Sequence, residues 1–192
     1  MIYLCRHGQT TFNAAHRYQG QVDSPLTALG QAQAVAMGHR LAGLVGPVFK
    51  VWASPLGRAQ QTLALIMEQL GPAPVVTDPR LMEVSMGAWD GLDDVEIEAE
   101  YPGARDGLSR GQWYFHGPGG ETFAGFAARL AAAMAEIMAD PAPVQVVVAH
   151  GVVSRVIRGR FAGLSEAAML AGQTPQDGFY ALGPDGVRFI AC

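Results

Sequence analysis

Two short apolar segments, far apart in the chain, each end in a histidine followed by a glycine. The first is "IYLCRHG" at 2–8, and the second is "VVVAHG" at 146–151. Imidazole has an unperturbed pKa of about 6.5, so at neutral pH it can act as a nucleophile or as a base. A glycine next to it removes a side chain where the backbone must approach a ligand closely. The repeated pattern indicates that His7 and His150 belong to one chemical site.

Two arginines accompany the histidines. Arg6 directly precedes His7, and Arg58 lies near the start of a helical pattern that begins at Ser54. Two arginines and two histidines in one crevice would repel each other unless an anion lay between them, and the planar guanidinium fits phosphate oxygens with two parallel bonds. The N-terminal amides of the helix that carries Arg58 also favour an anion. These residue types predict a binding site for a phosphoryl group.

The elements that position these residues alternate between strands and helices. Short apolar runs predict strands at 1–5, 48–54, 73–78 and 144–151. Apolar residues at helical spacing predict helices at 27–46, 54–70, 121–141 and 151–161, with Thr27 and Ser54 as N-caps. The segments 178–182 and 187–191 flank the turn "GPDG" and predict a hairpin.

This alternation predicts an α/β fold, a three-layer α/β/α sandwich with a mostly parallel central sheet. In such a sheet, ligands bind outside the carboxyl ends of the strands. His7, Ser54 and His150 each lie at the carboxyl end of a predicted strand. We therefore expect three distant parts of the sequence to meet at one edge of the sheet.

Each of these residues also has a structural explanation when it is taken alone. A histidine at the end of a strand is often only hydrogen-bonded, and an arginine early in a helix is often a solvated surface charge. Ser54 needs no role beyond capping its helix. Their coincidence at one sheet edge favours the chemical interpretation.

Six segments, in chain order, carry a resemblance that spans nearly the whole chain. They are "RHGQTTFN" at 6–13, "YQGQVDSPLTALGQAQA" at 18–34, "SPLGRAQQTL" at 54–63, "EVSMGAWDGL" at 83–92, "PGGETF" at 118–123 and "VVVAHGVVSR" at 146–155. Together they resemble the motifs of the histidine phosphatase superfamily, the phosphoglycerate mutase-like proteins, and more specifically its phosphatase branch. Arg-His-Gly alone is a weak signal, whereas the ordered set is a strong one.

The resemblance implies a role for each motif residue. His7 is expected to attack phosphorus and form a phosphohistidine, and Glu83 is expected to protonate the leaving group and then activate water. Arg6, Arg58 and His150 are expected to hold the phosphoryl oxygens. The expected substrate contacts come from Gly8, Thr10, Asn13, Gln19, Gly20 and Gly151.

Two choices stay open at this point. The residues alone do not separate Glu83 from Asp78 or Glu121 as the proton donor. The activity is expected to be phosphomonoester hydrolysis, with a cofactor-dependent phosphoglycerate mutase and a catalytically inactive phospholigand-binding module as alternatives. Family mutases tend to carry Arg-His-Tyr-Gly after the catalytic glutamate and a longer central insertion, whereas here Glu83 is followed by "VSMGAW".

Composition limits the remaining possibilities. The chain has 192 residues and a formal net charge of −4, which argues against a nucleic-acid or anionic-membrane surface as its main partner. No apolar run approaches the roughly 18 residues of a membrane span. Its two cysteines form no pair with disulfide or metal-ligand spacing, so a cytoplasmic protein is expected, with no metal or cofactor. The expected partner is a small-molecule phosphomonoester, and the oligomeric state is open.

We expect a single domain over 1–192, with a lid or cap at about 92–120. This segment shows no sustained period, and long loops in compact domains are usually functional. Its aromatic and basic residues are Arg105, Arg110, Trp113, Tyr114, Phe115 and His116. One interpretation has the aromatics line the crevice while an arginine meets a second anionic group. The other packs Trp113 and Phe115 on the core and leaves the arginines in water.

Overall fold

The computed structural model describes the backbone of residues 1–192 and every side chain except that of Arg110. Six strands form one sheet: β1 Ile2–Arg6, β2 Lys50–Ala53, β3 Val75–Thr77, β4 Gln145–Ala149, β5 Gly178–Gly183 and β6 Gly186–Ala191. Their order is β3-β2-β4-β1-β5-β6. The first four strands run parallel, whereas β5 is antiparallel to β1 and β6 is antiparallel to β5. The predicted mostly parallel sheet and the C-terminal hairpin are confirmed.

Eight helices connect and cover the strands. They are α1 Thr11–Ala14, α2 Ala28–Ala42, α3 Gly57–Leu70, α4 Asp94–Glu100, α5 Arg110–Trp113, α6 Phe123–Ala139, α7 Gly151–Phe161 and α8 Glu166–Ala171. Buried residues of α2 and α3 form a core on one face of the sheet, and those of α6 and α7 form a core on the other. This is the predicted three-layer sandwich. Among the residues that the structure describes, no helix is long and apolar enough to cross a membrane.

Strand β4 is apolar from Val146 to Ala149 because both faces of the sheet are covered there. Val146 and Val148 belong to the core beneath α2 and α3, while Val147 and Ala149 belong to the core beneath α6 and α7. Successive side chains of a strand point to opposite faces, so these four residues are buried on alternate sides. The strand pairs in parallel with β1, and Arg6 lies opposite Ala149. The residues that follow them, His7 and His150, are thereby brought to the same sheet edge.

Two helix boundaries differ from the prediction. Helix α2 ends at Ala42 rather than near residue 46, because the chain turns back there so that Val45 is buried in the core. Helix α3 begins at Gly57 with Leu56 as N-cap, not at Ser54. The Ser54 hydroxyl is used elsewhere, as described below.

The segment 92–120 contains two helices that the sequence analysis did not predict. Helix α4 begins with a capping box, in which Asp93 accepts from the backbone of Glu96 and the Glu96 side chain accepts from the backbone of Asp93. Helix α5 is a single short turn with Ser109 at its N-cap. The Asp93-x-x-Glu96 spacing is a helix-start signal that was available in the sequence.

Candidate active site

A cleft of about 200 Å³ opens beside the carboxyl ends of β1 and β4. Eight of the predicted site residues line it: Arg6, His7, Asn13, Gln19, Gly20, Arg58, Glu83 and Gly151. Gly8, Thr10 and His150 lie behind this surface. The fold therefore gathers residues from five separate parts of the sequence at the sheet edge.

His7 is buried at the end of β1, and its tautomer is fixed by the backbone. Its Nδ1 lies 2.8 Å from the carbonyl oxygen of Gly8. Because a carbonyl only accepts, Nδ1 carries the hydrogen and Nε2 keeps a lone pair. Burial lowers the pKa of His7 well below its ordinary value, and the charges of Arg6 and Arg58 lower it further. The lowered pKa favours the neutral ring at pH 7, with the lone pair on Nε2.

Gly8 has a positioning task. Its N–H donates to Thr62 Oγ1 at 3.1 Å, and the Thr62 hydroxyl donates to the Arg58 carbonyl at 2.8 Å. A Cβ at Gly8 would lie 2.1 Å from the carbonyl oxygen of Gly30, at the start of α2, so no side chain fits there. Glycine is required at position 8 because the backbone of α2 lies close to it, and not because a ligand does.

His150 caps the N-terminus of α7 and is fully buried, with its ring centroid 5.3 Å from that of His7. Its Nε2 lies 2.7 Å from Ser54 Oγ, and that oxygen accepts from the Leu56 N–H at 3.3 Å. The Ser54 proton has no other acceptor in the described part of the chain, so it is donated to Nε2. Nδ1 of His150 then carries a hydrogen, and this buried donor has no protein partner among the described residues. Burial lowers the pKa of His150, as do the charges of Arg58, His7 and Arg6.

Arg6 keeps one edge of its guanidinium uncommitted. Nη1 donates to the carbonyl oxygen of Thr174 at 2.5 Å and to Oγ1 of the same residue at 3.5 Å. Nε is buried and has no acceptor among the described residues. Burial lowers the pKa of Arg6 to about 10, and the nearby Glu83 carboxylate opposes that effect. The edge formed by Nε and Nη2 is available to an oxyanion.

Arg58 is arranged in the same way, although its partners differ. Nη1 donates to the Val22 carbonyl at 2.9 Å and to Asp23 Oδ1 at 3.0 Å, and Nη2 donates to the Gly20 carbonyl at 2.6 Å. Nε is again buried without an acceptor among the described residues. With 1% of its surface exposed, Arg58 is not a solvated surface charge. Each of the two arginines thus keeps a buried Nε–H group without a protein acceptor among the described residues, and such a charged donor suits a phosphoryl oxygen.

The N-terminal amides of α3 bind an anion from the protein itself. Asp23 accepts from the backbone N–H groups of Gly57 and Arg58, and it also pairs with the Arg58 guanidinium. This corrects the expectation that these amides are free to bind a ligand. Asp23 fixes the start of the helix and the direction of the Arg58 side chain.

Glu83 lies at the N-terminus of the other site helix, α7. Its Oε2 accepts from the Val152 N–H at 3.0 Å, and its Oε1 accepts from the Val153 N–H at 3.2 Å. A Cβ at Gly151 would lie 3.6 Å from Glu83 Oε2 and 3.5 Å from Arg6 Nε. The glycine therefore marks the point where the carboxylate and the guanidinium come together.

The other two candidate acids lie away from the cleft. Asp78 accepts two bonds from the Arg80 guanidinium, and Glu121 pairs with Arg129 and accepts from the Ser85 N–H. The pKa of each carboxyl is lowered by these bonds, which oppose the effect of burial. Of the three carboxylates, Glu83 alone lines the cleft.

The neutral residues divide into two kinds. Thr10 is buried and caps α1 by accepting from the Asn13 N–H at 3.1 Å, so it shapes the site without lining it. The side-chain oxygen of Asn13 accepts from Gln176, and that of Gln19 accepts from Ser24. Each of these two amides uses its oxygen for protein contacts, which leaves its NH₂ group to donate into the cleft.

The segment 92–120 contributes one side chain to the cleft lining in the described part of the chain, that of Tyr114. Trp113 and Phe115 are half-buried against the core. Arg105 pairs with Asp94 and stacks on Trp113, so it is not the arginine that faces the cleft. For these two aromatics the structure agrees with the interpretation that packs them on the core. The Arg110 side chain lies outside the described residues.

Arg155 lines the cleft as well, and the sequence analysis gave it no role. It stands four residues after Gly151, which is one turn of α7. Residues one helical turn apart share a face, so this spacing was a usable signal. Ser54 and Asp23 were missed as positioning residues because their partners are distant in sequence.

The comparisons with known proteins agree with this arrangement. Residues 2–189 match the model of the histidine phosphatase superfamily, branch 1, and the chain belongs to this family. A relative from Enterobacter sp. (strain 638) bears the name "Probable phosphoglycerate mutase GpmB". It is 37% identical over 152 residues, which are 79% of this chain and 69% of the relative.

Two solved structures are also similar over nearly the whole chain. A mycobacterial glucosyl-3-phosphoglycerate phosphatase in complex with VO3 has a TM-score of 0.80 and 32% identity, and the match covers 99% of this chain and 96% of that one. The α-ribazole phosphatase from Shigella flexneri has a TM-score of 0.82 and 25% identity, and the match covers 99% and 94%.

Proposed function

We propose that this protein hydrolyses phosphomonoesters of small metabolites through a phosphohistidine formed on His7. The observation that carries the proposal is the hydrogen bond between His7 Nδ1 and the Gly8 carbonyl, which leaves Nε2 with a lone pair. Covalent catalysis of this kind divides one difficult displacement into two easier ones. Burial and the neighbouring arginines keep the ring neutral, and therefore nucleophilic, by lowering its pKa.

The phosphoryl group would be held by donors that have no other partner. These are Nε of Arg6, Nε of Arg58 and Nδ1 of His150. They are fixed by protein contacts before the substrate arrives, so little reorganisation is needed as charge redistributes in the transition state. The amide groups of Asn13 and Gln19 add neutral donors on the same surface.

Glu83 would move the proton in both steps. In the first step, Nε2 attacks phosphorus, the phosphorus–oxygen bond to the leaving group breaks, and the departing oxygen takes a proton from Glu83. In the second step, water attacks phosphorus and gives a proton to the Glu83 carboxylate. The phosphorus–nitrogen bond then breaks, the electron pair returns to Nε2, and inorganic phosphate is released. The amides of Val152 and Val153 hold the carboxylate in place throughout.

Hydrolysis and the mutase reaction differ in the molecule that accepts the phosphoryl group from phosphohistidine. In hydrolysis it is water, and in the mutase reaction it is a bound hydroxy acid. The name of the Enterobacter relative supports a mutase. The names of the two similar structures support a phosphatase. The stretch "VSMGAW" after Glu83 lacks the Arg-His-Tyr-Gly typical of family mutases, and on that residue pattern we favour hydrolysis.

One experiment separates these activities. Purified protein is incubated with alkyl, aryl and sugar phosphates and with 3-phosphoglycerate, the last with and without 2,3-bisphosphoglycerate, while phosphorus NMR follows every product. We expect inorganic phosphate to appear in step with the free alcohol and to be absent in His7→Ala. Accumulation of 2-phosphoglycerate faster than inorganic phosphate would establish a mutase. Binding of the esters without turnover of any of them would establish a binding module.

A further inference from the structure

Arg155 is a cationic side chain of the cleft for which the protein supplies no anion. It lies on α7 and makes no hydrogen bond and no ion pair with the residues that the structure describes. Its Nε is buried without an acceptor among them. The ring face of Tyr114 lies 5.5 Å from its guanidinium carbon. Arg155 is half-buried, and an anion placed beside it would supply the acceptor that its buried Nε lacks, which would contribute binding energy.

Two other arginines of the cleft are already paired with carboxylates. Arg17 pairs with Glu96 at 2.6 Å, and Arg58 pairs with Asp23 at 3.0 Å. The unpartnered Nε donors of Arg6 and Arg58 suffice for one phosphoryl group. The reaction at phosphorus therefore leaves Arg155 as an additional cation without an anionic partner. Its charge adds to the effect of burial in lowering the pKa of Arg6.

Arg155 also joins the cleft to a second cavity. This cavity, of about 800 Å³, lies between α5 and α8, and Arg155 and Tyr114 line both spaces. Its walls combine polar side chains such as Gln112 with the apolar Leu170. Glu166 stands on the same wall, exposed to solvent, and makes no ion pair with Arg155. A substrate whose phosphoryl group is bound near His7 can extend its organic part past Arg155 into this cavity.

We propose that Arg155 binds a second anionic group of the substrate, a carboxylate or another phosphoryl group, on the leaving-group side of the scissile bond. This inference rests on the proposed function, since it names the class of substrate that the site takes. Arg105 of the segment 92–120 is engaged with Asp94. Arg155 therefore takes the role that one interpretation gave to an arginine of that segment, which is to bind the second anion. The cavity between α5 and α8 would hold the atoms that lie beyond that group.

The test uses probes that share one carbon skeleton. 2-Phosphoglycolate carries a carboxylate, ethylene glycol bisphosphate carries a second phosphoryl group, and 2-hydroxyethyl phosphate carries neither. We would measure kcat/KM for each with wild type, Arg155→Met and Arg155→Lys, and with Arg160→Met as a control, since Arg160 is exposed at the far end of α7. Methionine keeps most of the aliphatic stem and removes the charge.

We expect Arg155→Met to lower kcat/KM for one of the two doubly anionic probes by about 10-fold to 100-fold, the size of a charge-assisted hydrogen bond. The neutral-tailed probe should change by less than about 3-fold, and lysine should restore part of the loss. A loss on 2-phosphoglycolate would identify the second anionic group as a carboxylate, and a loss on ethylene glycol bisphosphate would identify it as a phosphoryl group. An equal loss on all three probes, or no change on any, would overturn the proposal.

A binding measurement keeps this inference separate from the proposed function. Calorimetric affinities of the same three probes for His7→Ala, with and without Arg155→Met, do not depend on turnover. If wild type releases no phosphate from any probe but Arg155→Met still weakens an anionic probe selectively, the hydrolase proposal fails and the second-anion site stands. If wild type releases phosphate from all three probes and Arg155→Met weakens none of them selectively, the hydrolase proposal stands and the second-anion site fails.

Discussion

Lowering the pH from 7.0 to 5.5 should destabilise this protein through the two buried histidines of the site. Burial and neighbouring positive charge lower the pKa of both His7 and His150 in the folded protein. In the unfolded chain each ring takes up a proton as the pH falls through about 6.5. The unfolded state then binds more protons than the folded state, so stability is lost as the pH falls.

The size of this effect follows from proton linkage. A ring that stays neutral in the folded state and titrates at about 6.5 in the unfolded state costs about 1.3 kcal/mol between pH 7.0 and pH 5.5, so the two rings together cost about 2.5 kcal/mol. Aspartate and glutamate titrate mainly below this window in the unfolded chain, which leaves the histidines as its main contributors.

Urea unfolding at pH 7.0, 6.5, 6.0 and 5.5 measures this dependence directly. His7→Gln should lose about half of the pH-dependent change, whatever its stability at pH 7.0. His39→Gln is the matched control, because His39 is exposed near the end of α2 and away from the site. A flat profile for wild type, or an unchanged profile for His7→Gln, would show that the ring takes up a proton as readily in the folded protein as in the unfolded chain. Such a result would contradict the lowered pKa of His7 on which the pH prediction depends.

Three further predictions concern the other site residues. Glu83→Gln should slow the phosphate burst most for alkyl esters with poor leaving groups and least for aryl phosphates; equal losses would point to a different proton donor. Asp23→Asn should raise KM and lower the free energy of unfolding by about 1 kcal/mol in urea titrations, because it weakens both the cap of α3 and the ion pair with Arg58. The control Asp185→Asn, in the exposed hairpin turn, should change neither quantity. Activity should survive dialysis against EDTA, since Arg6 and Arg58 supply the positive charge; loss of activity that Mg²⁺ or Zn²⁺ restores would refute this.

The strands and the long helices could be predicted because local patterns determine them. The run 146–149 is apolar at every position, and this part of β4 is indeed buried on both faces. The boundary of α3 was wrong because Ser54, a good capping residue, bonds instead to His150, which lies 96 residues away. No local pattern reports such a partner. The tertiary hydrogen bond overrode the local capping preference.

The difference between local patterns and distant contacts also explains which residues of the candidate site could be predicted and which were missed. His7, Arg58 and Glu83 line one cleft because the end of β1, the start of α3 and the connection after β3 lie at the same sheet edge. Their motifs are contiguous in sequence and therefore visible. Asp23 and Arg155 act across loops and helices, and their importance depends on which charges remain unpaired after folding. That information exists only in three dimensions, which is also why the sequence analysis looked for a second anion site in the segment 92–120.

The central claim is that the phosphoryl group passes through His7 Nε2. Wild-type protein would be mixed with a phosphorus-32-labelled ester, quenched within milliseconds and analysed by peptide mapping. We predict an adduct on the peptide that contains His7, stable in base, labile in acid, absent in His7→Ala and chased to inorganic phosphate by water. An adduct on any other residue, or full turnover by His7→Ala, would contradict the mechanism.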